Sequence, residues 1–397
     1  MKILINIARI IVGLLFIFSG LVKAIDPLGL SYKMQEFFEL WGMASFNEHT
    51  LWMSVVMIAF EIIAGAALLL GWRMQLFSWL LLLLIVFFTF LTGYAYLSGK
   101  FKNCGCFGDC IPITPLTSFL KDIVLSVLIL FLFANRKKIT PVFGNKANLL
   151  IMALVTLFSF GLQWYALRYL PPIDCLPFKK GNNITEQMRV PAGALPDSFA
   201  IRFIYEKGGK QFEFAPADLP ADLDSYNYVS RTDKLIRKGN AEPPIKGFAL
   251  SGISGEDSTG VVLRQPYTVL LFCENFATPL SVWRDEFAKV YEAAKAKNIP
   301  VYAVTNRMEE AIKNFSATSF ADIPVFKCDY TAIRTAARTD PCVYLLRRGT
   351  VQDKQSHSRM DKIVAQLGSL VVQKIIPPPG QGSTAELDSL QQTGNGN

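Results

Sequence analysis

Histidine is nearly absent: His49 and His357 are the whole supply in 397 residues. Ser-His-Asp catalysis and histidine-based metal sites have almost nothing to draw on, and no metal is expected. Charge is scarce too, with Asp, Glu, Lys and Arg making up 18% of the chain against about 25% in an ordinary soluble domain. The net charge of +8 is spread along the chain, with no Lys/Arg block interleaved with aromatics, so nucleic acid is not an expected partner. Seven cysteines are too few to scaffold a chain of this length. No haem, flavin or nicotinamide signature is present. What is plentiful is apolar: 51% of the residues, including 30 Phe. That excludes a disordered chain and an ordinary soluble enzyme. Nearly all the long apolar runs lie before residue 171, so the chain divides into two unlike halves.

Five stretches approach the ~20 apolar residues a membrane span needs: about Ile3 to Ile25, Leu51 to Trp72, Met74 to Leu97, Leu116 to Phe133 and Leu149 to Leu170. The first is too long for a signal-peptide core and lacks a small-residue cleavage site, so it is expected to be retained. Short-loop Lys and Arg set the orientation. The loop after the fourth span holds Arg136, Lys137, Lys138 and Lys146 with no acid, Arg73 follows the second span, and Lys2 precedes the first. These place the amino terminus in the cytoplasm. The loop with Asp26, Glu36, Glu39 and Glu48 against Lys33, the three-cysteine loop at 98–115, and everything from Pro171 onward then lie outside, in the periplasm of an inner-membrane protein. Cysteine pairs there can form disulfides. Ionisable residues also fall inside or at the ends of spans: Arg9, Glu61, Lys121, Asp122 and Lys23. Charges at that depth usually face a bundle interior. Either Glu61 and Arg9 form a structural ion pair, or Glu61 marks a proton or quinone site.

The loop reads Lys102-Asn103-Cys104-Gly105-Cys106-Phe107-Gly108-Asp109-Cys110. Bridging two cysteines one residue apart closes a small strained ring that Gly105 eases, and strained disulfides are the labile, catalytic ones. Lys100 and Lys102 favour thiolate. Cys110 is placed either as a resolving partner for Cys106 or as the partner in a resting bridge. A structural disulfide, or a zinc site completed by Cys175, stand as alternatives, although three thiolates without histidine are an incomplete tetrahedral set.

The run Cys104-Gly-Cys-Phe-Gly-Asp109, with Thr114-Pro115, Ser118-Phe119 and Lys121-Asp122, resembles the DoxX/MauE family of redox-associated membrane proteins. Arg9, Phe18-Ser19-Gly20, Lys23, Glu61, Ala64-Gly65-Ala66 and Leu70-Gly71-Trp72 fit the same pattern. The resemblance covers roughly residues 1 to 135. It implies a four-helix membrane bundle, support of disulfide formation in a periplasmic partner, and quinone-linked redox chemistry. Cys110, a fifth span and the long outer part are additions. They resemble a larger architecture of Bacteroidetes-type bacteria, in which Pro177-Phe178-Lys179-Lys180-Gly181-Asn182 recurs after the last span.

Residues 136–170 read as a cytoplasmic loop and the fifth span, and 171–243 as a polar, β-rich segment. From 244 to 375 strands and helices alternate: a strand at Tyr267–Cys273, a helix at Ser281–Lys297 with Trp283, Phe287, Val290, Tyr291 and Ala294 on one face, a strand at Pro300–Val304, a helix at Met308–Phe315, strands at Val325–Cys328 and Cys342–Leu346, and a helix at Met360–Val372. That pattern implies an α/β unit. Its order, with Asp340-Pro341 before a strand, resembles a thioredoxin-like domain of the TlpA type, in which Pro341 takes the cis-proline place. Ala277 and Leu280 stand where that fold carries its two cysteines, so fold is kept and dithiol catalysis lost. Cys273, Cys328 and Cys342 read as small core hydrophobes, with a Cys328–Cys342 bridge as the alternative. The tail at 376–397 is expected to be disordered.

The fold class expected is therefore an α-helical transmembrane bundle followed by an α/β thioredoxin-like domain. Two functions stay open. One is a thiol-disulfide or quinone-linked redox protein, with Cys104, Cys106 and Cys110 reactive, Glu61, Lys23, Lys121, Asp122 and Arg9 in support, and membrane lipid and a periplasmic thiol protein or other inner-membrane subunits as partners. The other is a non-enzymatic anchor whose outer domain docks a partner. A transporter lacks the paired broken helices expected of one.

Overall fold

The computed structural model describes residues 1–101, 105, 107–237, 239 and 241–370. Cys104, Cys106 and the tail lie outside the described residues. The first half runs α1 (Lys2–Ala24), α2 (Pro27–Leu40), α3 (Thr50–Leu70), α4 (Met74–Ser98), α5 (Pro115–Ala134) and α6 (Asn145–Tyr169). All but α2 lie in helical stretches long and apolar enough to cross a membrane, so the chain is a multi-pass membrane protein. Glycine sets the tightest contact. A Cβ at Gly65 would come within 2.8 Å of the Gly13 carbonyl, and one at Gly20 within 2.5 Å of Ile62. Small residues let α1 and α3 approach closely, and that approach brings Lys23 to Glu61. The left-handed Gly71 (φ 65°) ends α3.

The helix α2 is absent from the expectations above because it has no long apolar run. Local signals build it: the Asp26 side chain caps it by accepting from the Gly29 N–H at 3.2 Å, and Pro27 opens the first turn.

After α6 come α7 (Ile184–Gln187) and the strands β1 (Ser198–Lys207), β2 (Lys210–Phe214) and β3 (Asn227–Arg237), which form an antiparallel sheet in the order β2-β1-β3. The α/β unit follows: α8 (Thr259–Arg264), β4 (Thr268–Cys273), α9 (Leu280–Lys295), β5 (Val301–Thr305), α10 (Met308–Phe315), β6 (Val325–Lys327), α11 (Tyr330–Ala336), β7 (Cys342–Arg347), β8 (Thr350–Ser356) and α12 (Met360–Ser369). Its sheet has the order β6-β5-β4-β7-β8. Strands β4, β5 and β6 are parallel, and β7 and β8 antiparallel. The Asp340–Pro341 peptide is cis. This is the thioredoxin-like arrangement.

One sheet face is covered by Trp283, Phe287 and Val290 of α9 with Ile363 and Leu367 of α12. The other is covered by Ile333 and Ala336 of α11, and also by Leu170, Phe178 and Ile184. Residues 170–184 thus pack into the α/β core rather than into the preceding β-rich segment. Their backbone joins it as well: Gly181 N–H donates to the Val351 carbonyl and Ile184 N–H to that of Gly349, each at 2.8 Å. The division expected at 243/244 therefore does not follow the packing. The sheet also corrects the Cys328–Cys342 alternative. Cys328 follows β6, two strands stand between β6 and β7, and Cys273, Cys328 and Cys342 are all free and buried.

Candidate functional site

Three features meet where the bundle touches the α/β unit: a cysteine loop, two cation–carboxylate pairs with buried carboxylates, and a clasp of arginines.

Of the loop, Gly105 and residues 107 to 110 are described. Gly105 and Gly108 both have positive φ (69° and 59°), a conformation glycine adopts without strain. The Gly108 N–H donates to the Gly105 carbonyl at 3.0 Å. A Cβ at Gly105 would stand 3.1 Å from the Lys33 side chain of α2. Phe107 rests on Phe18 of α1, ring centroids 5.8 Å apart, with the Lys121 ammonium 5.3 Å above it. The loop is thus folded across the ends of α1, α2 and α5. Cys110 is bonded to Cys175, Cα atoms 4.9 Å apart, across 65 residues of sequence. This corrects the expectation of Cys110 as a partner thiol for Cys106: its sulfur is committed to Cys175, which the α6 exit holds beside it.

The first buried pair joins Lys23 and Glu61 at 2.5 Å, the side chains 3% and 1% exposed. Ser19 donates to the other carboxylate oxygen at 3.1 Å. The expected Glu61–Arg9 pair is therefore wrong. Arg9 lies toward the opposite end of α1 and donates to the Thr140 carbonyl at 3.5 Å. From position 9 to 23 is 14 residues, or about 21 Å of helix at 1.5 Å each. In the second pair, Asp122 accepts from Lys121 at 2.5 Å and from Thr92 at 3.0 Å. A cavity of about 30 Å³ lies between the pairs, lined by Ser19, Lys23, Glu61, Phe107, Lys121 and Asp122. Leu15, Phe16, Ile85, Phe88 and Leu125 complete its wall, and it is large enough for a water held by the charged groups. Beside it, α2, α3 and α4 enclose a larger cavity of about 160 Å³. Its wall is almost wholly apolar, with Met34, Phe37, Trp41 and Phe88 prominent, and it carries Lys23, Lys33 and Gly105.

On the α/β side, Ala277 and Leu280 stand at the entry to α9, as expected from sequence, and neither brings a thiol. The anion position there is filled differently. Asp340, beside cis-Pro341, accepts from the backbone N–H of Glu274 (3.0 Å), Asn275 (3.2 Å) and Ala277 (3.0 Å). Burial pushes the Asp340 carboxyl up, and these three N–H donors oppose the shift. The remaining thiols are inert. Burial raises Cys273 well above the usual thiol value, Cys342 to about 12 and Cys328 to about 11, so little reactive thiolate forms.

The clasp comes from α11 and the residues after it. Arg338, 4% exposed, donates to Asp26 at 2.8 Å and to Asp109 at 2.6 Å. One carboxylate is the cap of α2 and the other lies in the cysteine loop. Burial disfavours the Arg338 charge, but the two carboxylates outweigh it and hold its pKa above the ordinary value. Gly29 makes room: a Cβ there would stand 3.1 Å from Asp26 Oδ2 and 3.3 Å from Asp109 Oδ2. Arg334 donates to Glu274 at 2.6 Å and to Gln35 of α2 at 2.7 Å. Tyr32 lies against both guanidinium groups, at 4.7 and 5.3 Å, and donates to Glu274 at 3.3 Å. Sequence reasoning missed Arg334, Arg338 and Tyr32. Their partners lie 60 to 312 residues away, and no local spacing announces them.

Comparison with known proteins fits this architecture. The family described as methylamine utilisation protein MauE matches residues 1–135, and a domain of unknown function (DUF8463) matches residues 199–238. The chain is 30% identical over 152 residues to Protein TlpB of Flavobacterium psychrophilum, a stretch covering 38% of this chain and 40% of that protein. The chain thus spans less than half the length of this curated relative. Among solved structures, a conserved protein of unknown function from Bacteroides fragilis is 21% identical, over 31% of this chain and 96% of that one, with a TM-score of 0.25. A putative thiol:disulfide interchange protein DsbE from Chlorobium tepidum is 18% identical, over 31% and 94%, also with a TM-score of 0.25. Yeast Sco1 with copper bound is 14% identical, over 32% and 94%, with a TM-score of 0.24. Residues 1–135 form a MauE-type membrane domain, and the chain joins it to a thioredoxin-like domain.

Proposed function

We propose that this protein is a thiol-disulfide redox protein of the inner membrane, working at the periplasmic face through Cys104 and Cys106, with a quinone as electron acceptor. The observation that carries the reading is the apolar cavity of about 160 Å³ whose wall includes Gly105, the residue between the two cysteines. Met34, Phe37, Trp41 and Phe88 offer an aromatic, apolar slot for a flat ring, bordered by Lys23, which pairs with Glu61, and Lys33, which pairs with Glu36. A bound quinone supplies a two-electron, two-proton acceptor.

In the exchange step, a partner thiolate attacks the Cys104–Cys106 disulfide. A mixed disulfide forms and the Cys104–Cys106 bond breaks. The partner's second thiolate then releases the pair as two thiols, leaving the partner oxidised by two electrons. Lys23, in its buried pair with Glu61, lines both the apolar cavity and the smaller one beside the loop. The orientation rests on the Lys/Arg bias of the short loops. The clasp and the Cys110–Cys175 bond support the loop from the α/β side.

A second reading, a non-enzymatic anchor with a docking domain, is favoured by Asp340, which fills the place a thiolate would take. One experiment separates the two. Intact membranes carrying the full chain are depleted of quinone, reduced mildly, and supplied again with a soluble quinone analogue. Reoxidation of Cys104 and Cys106 that depends on the analogue supports the redox reading. Reoxidation at the same rate without it removes the quinone. A pair that neither reduces nor reoxidises leaves the anchor.

A further inference from the structure

Between α6 and the α/β unit lies a cleft of about 390 Å³ that the chemistry above does not use. Its floor is Tyr165 and Tyr169, one turn apart at the end of the last membrane-spanning helix. Its wall carries Lys179, Lys180, Lys354, Arg359 and Lys362 against one carboxylate, Asp174. Two of the cations are already paired, Lys354 with Asp174 and Lys180 with Asp353. Lys179, Arg359 and Lys362 have no ion pair among the described residues. The Arg359 guanidinium lies over the Tyr169 ring at 4.2 Å and 5.5 Å from that of Tyr165. A guanidinium beside aromatic rings keeps N–H groups for a planar or tetrahedral oxyanion. Arg359 precedes α12, a ten-residue helix without a side-chain cap, and Lys362 lies in its first turn beside one acid, Asp361.

We propose that this cleft binds the phosphate of an anionic phospholipid headgroup. The chemistry asks for a phosphate, and the position selects the lipid as its source. Trp164, Tyr165 and Tyr169 form the aromatic end of a span, the level at which such residues meet headgroups. Basic pockets at that level select anionic lipids. A lipid bound there would bridge α6 and α12, tying the thioredoxin-like domain to the membrane.

The test uses the full chain, delipidated in detergent and titrated with phosphatidylglycerol or phosphatidylcholine, with bound lipid counted by native mass spectrometry. Phosphatidylglycerol is expected to bind at least tenfold more tightly than phosphatidylcholine. The triple change Lys179→Gln, Arg359→Gln and Lys362→Gln should remove that preference, and Arg359→Lys should keep most of it. Retention of the Cys110–Cys175 bond and of far-ultraviolet ellipticity checks that the variants are folded; if the triple variant is not, Arg359→Gln alone should weaken binding about threefold. Equal binding of the two lipids, or an undiminished preference in a folded variant, overturns the proposal. Displacement of the lipid by inorganic phosphate at the same concentration would also overturn it, in favour of a free-phosphate site. No thiol is read in this assay, so its outcome is independent of the redox reading.

Discussion

The two groups of cysteines in this chain live under opposite physical conditions. Cys273 and Cys342 lie on strands of the sheet and Cys328 just after β6, all three buried, with thiols that burial pushes up. Cys104, Cys106 and Cys110 share a short glycine-bearing loop beside lysines, and Cys110 is already oxidised onto Cys175. A thioredoxin-like fold ordinarily carries its reactive sulfur at the start of its first long helix. Here that corner is occupied by a carboxylate, Asp340, and the proposed sulfur chemistry falls to the loop of the membrane domain. The α/β unit keeps the rigidity of its fold and turns it to holding the loop, through Arg338. The difference between the groups lies in surroundings: burial suppresses thiolate at Cys273, Cys328 and Cys342, whereas the loop carries Cys110 oxidised onto Cys175.

The largest expected effect falls on the loop. Cys106→Ser in the full chain should lower dithiol oxidation in membranes at least 100-fold. Replacing Cys273, Cys328 and Cys342 together by Ala should leave it within about twofold, provided the protein folds. An equal loss in both variants would erase the contrast between the two groups.

Next is the clasp. Arg338→Ala leaves the partly buried Asp26 and Asp109 without their cation, and breaking such a pair costs about 3–5 kcal/mol. Urea titration with near-ultraviolet detection should show that loss. Cys110–Cys175 should also become easier to reduce, because the loop loses its anchor at Asp109. A variant as stable as the parent would mean that the two halves are held together by other contacts.

How much of this was legible beforehand follows from range. Apolar runs long enough to span a bilayer and the strand–helix alternation after residue 267 are written locally, and both were readable. So were the missing thiols at Ala277 and Leu280. The helix α2 was not, because a cap at Asp26 and Pro27 directs it without an apolar run. Lys23 and Glu61 were each noticed, but Glu61 was matched to Arg9. Which cation meets a buried carboxylate depends on the height at which two helices cross, here set by Gly13, Gly20 and Gly65. Arg338 finds Asp26 across 312 residues, a distance at which spacing carries no information. The β-rich segment looked separate from the α/β unit because Phe178 and Ile184 are isolated apolar residues in a polar stretch, and only the sheet reveals what they cover.

The Glu61→Gln change sharpens the comparison within the bundle. It leaves Lys23 buried beside a neutral amide, so the membrane domain should lose about 3 kcal/mol of stability, the low end for breaking a buried pair. Thermal unfolding in detergent checks this, and Lys23→Met combined with Glu61→Leu, which removes both charges, should recover part of the loss.

The smallest effect concerns pH. A thiol whose pKa is raised in the folded state binds a proton that the unfolded chain has released, so its contribution to stability is complete below the unfolded value and is lost as pH rises. For Cys342 the window runs from the model-compound value of 9.0 to about 12. Urea unfolding of the full chain should show decreasing stability from pH 9 upward, and Cys342→Ala should flatten that slope. An unchanged slope would place the titration on another group.

The most direct measurement is the redox state of all seven cysteines in intact membranes, by acid quench, differential alkylation and peptide mapping, with and without a mild reductant. Cys104 and Cys106 should move between disulfide and thiol, while Cys110–Cys175 stays oxidised and Cys273, Cys328 and Cys342 stay reduced. A Cys104–Cys106 pair fixed in one state under both conditions would contradict a redox role for the loop and leave the protein an anchored docking module.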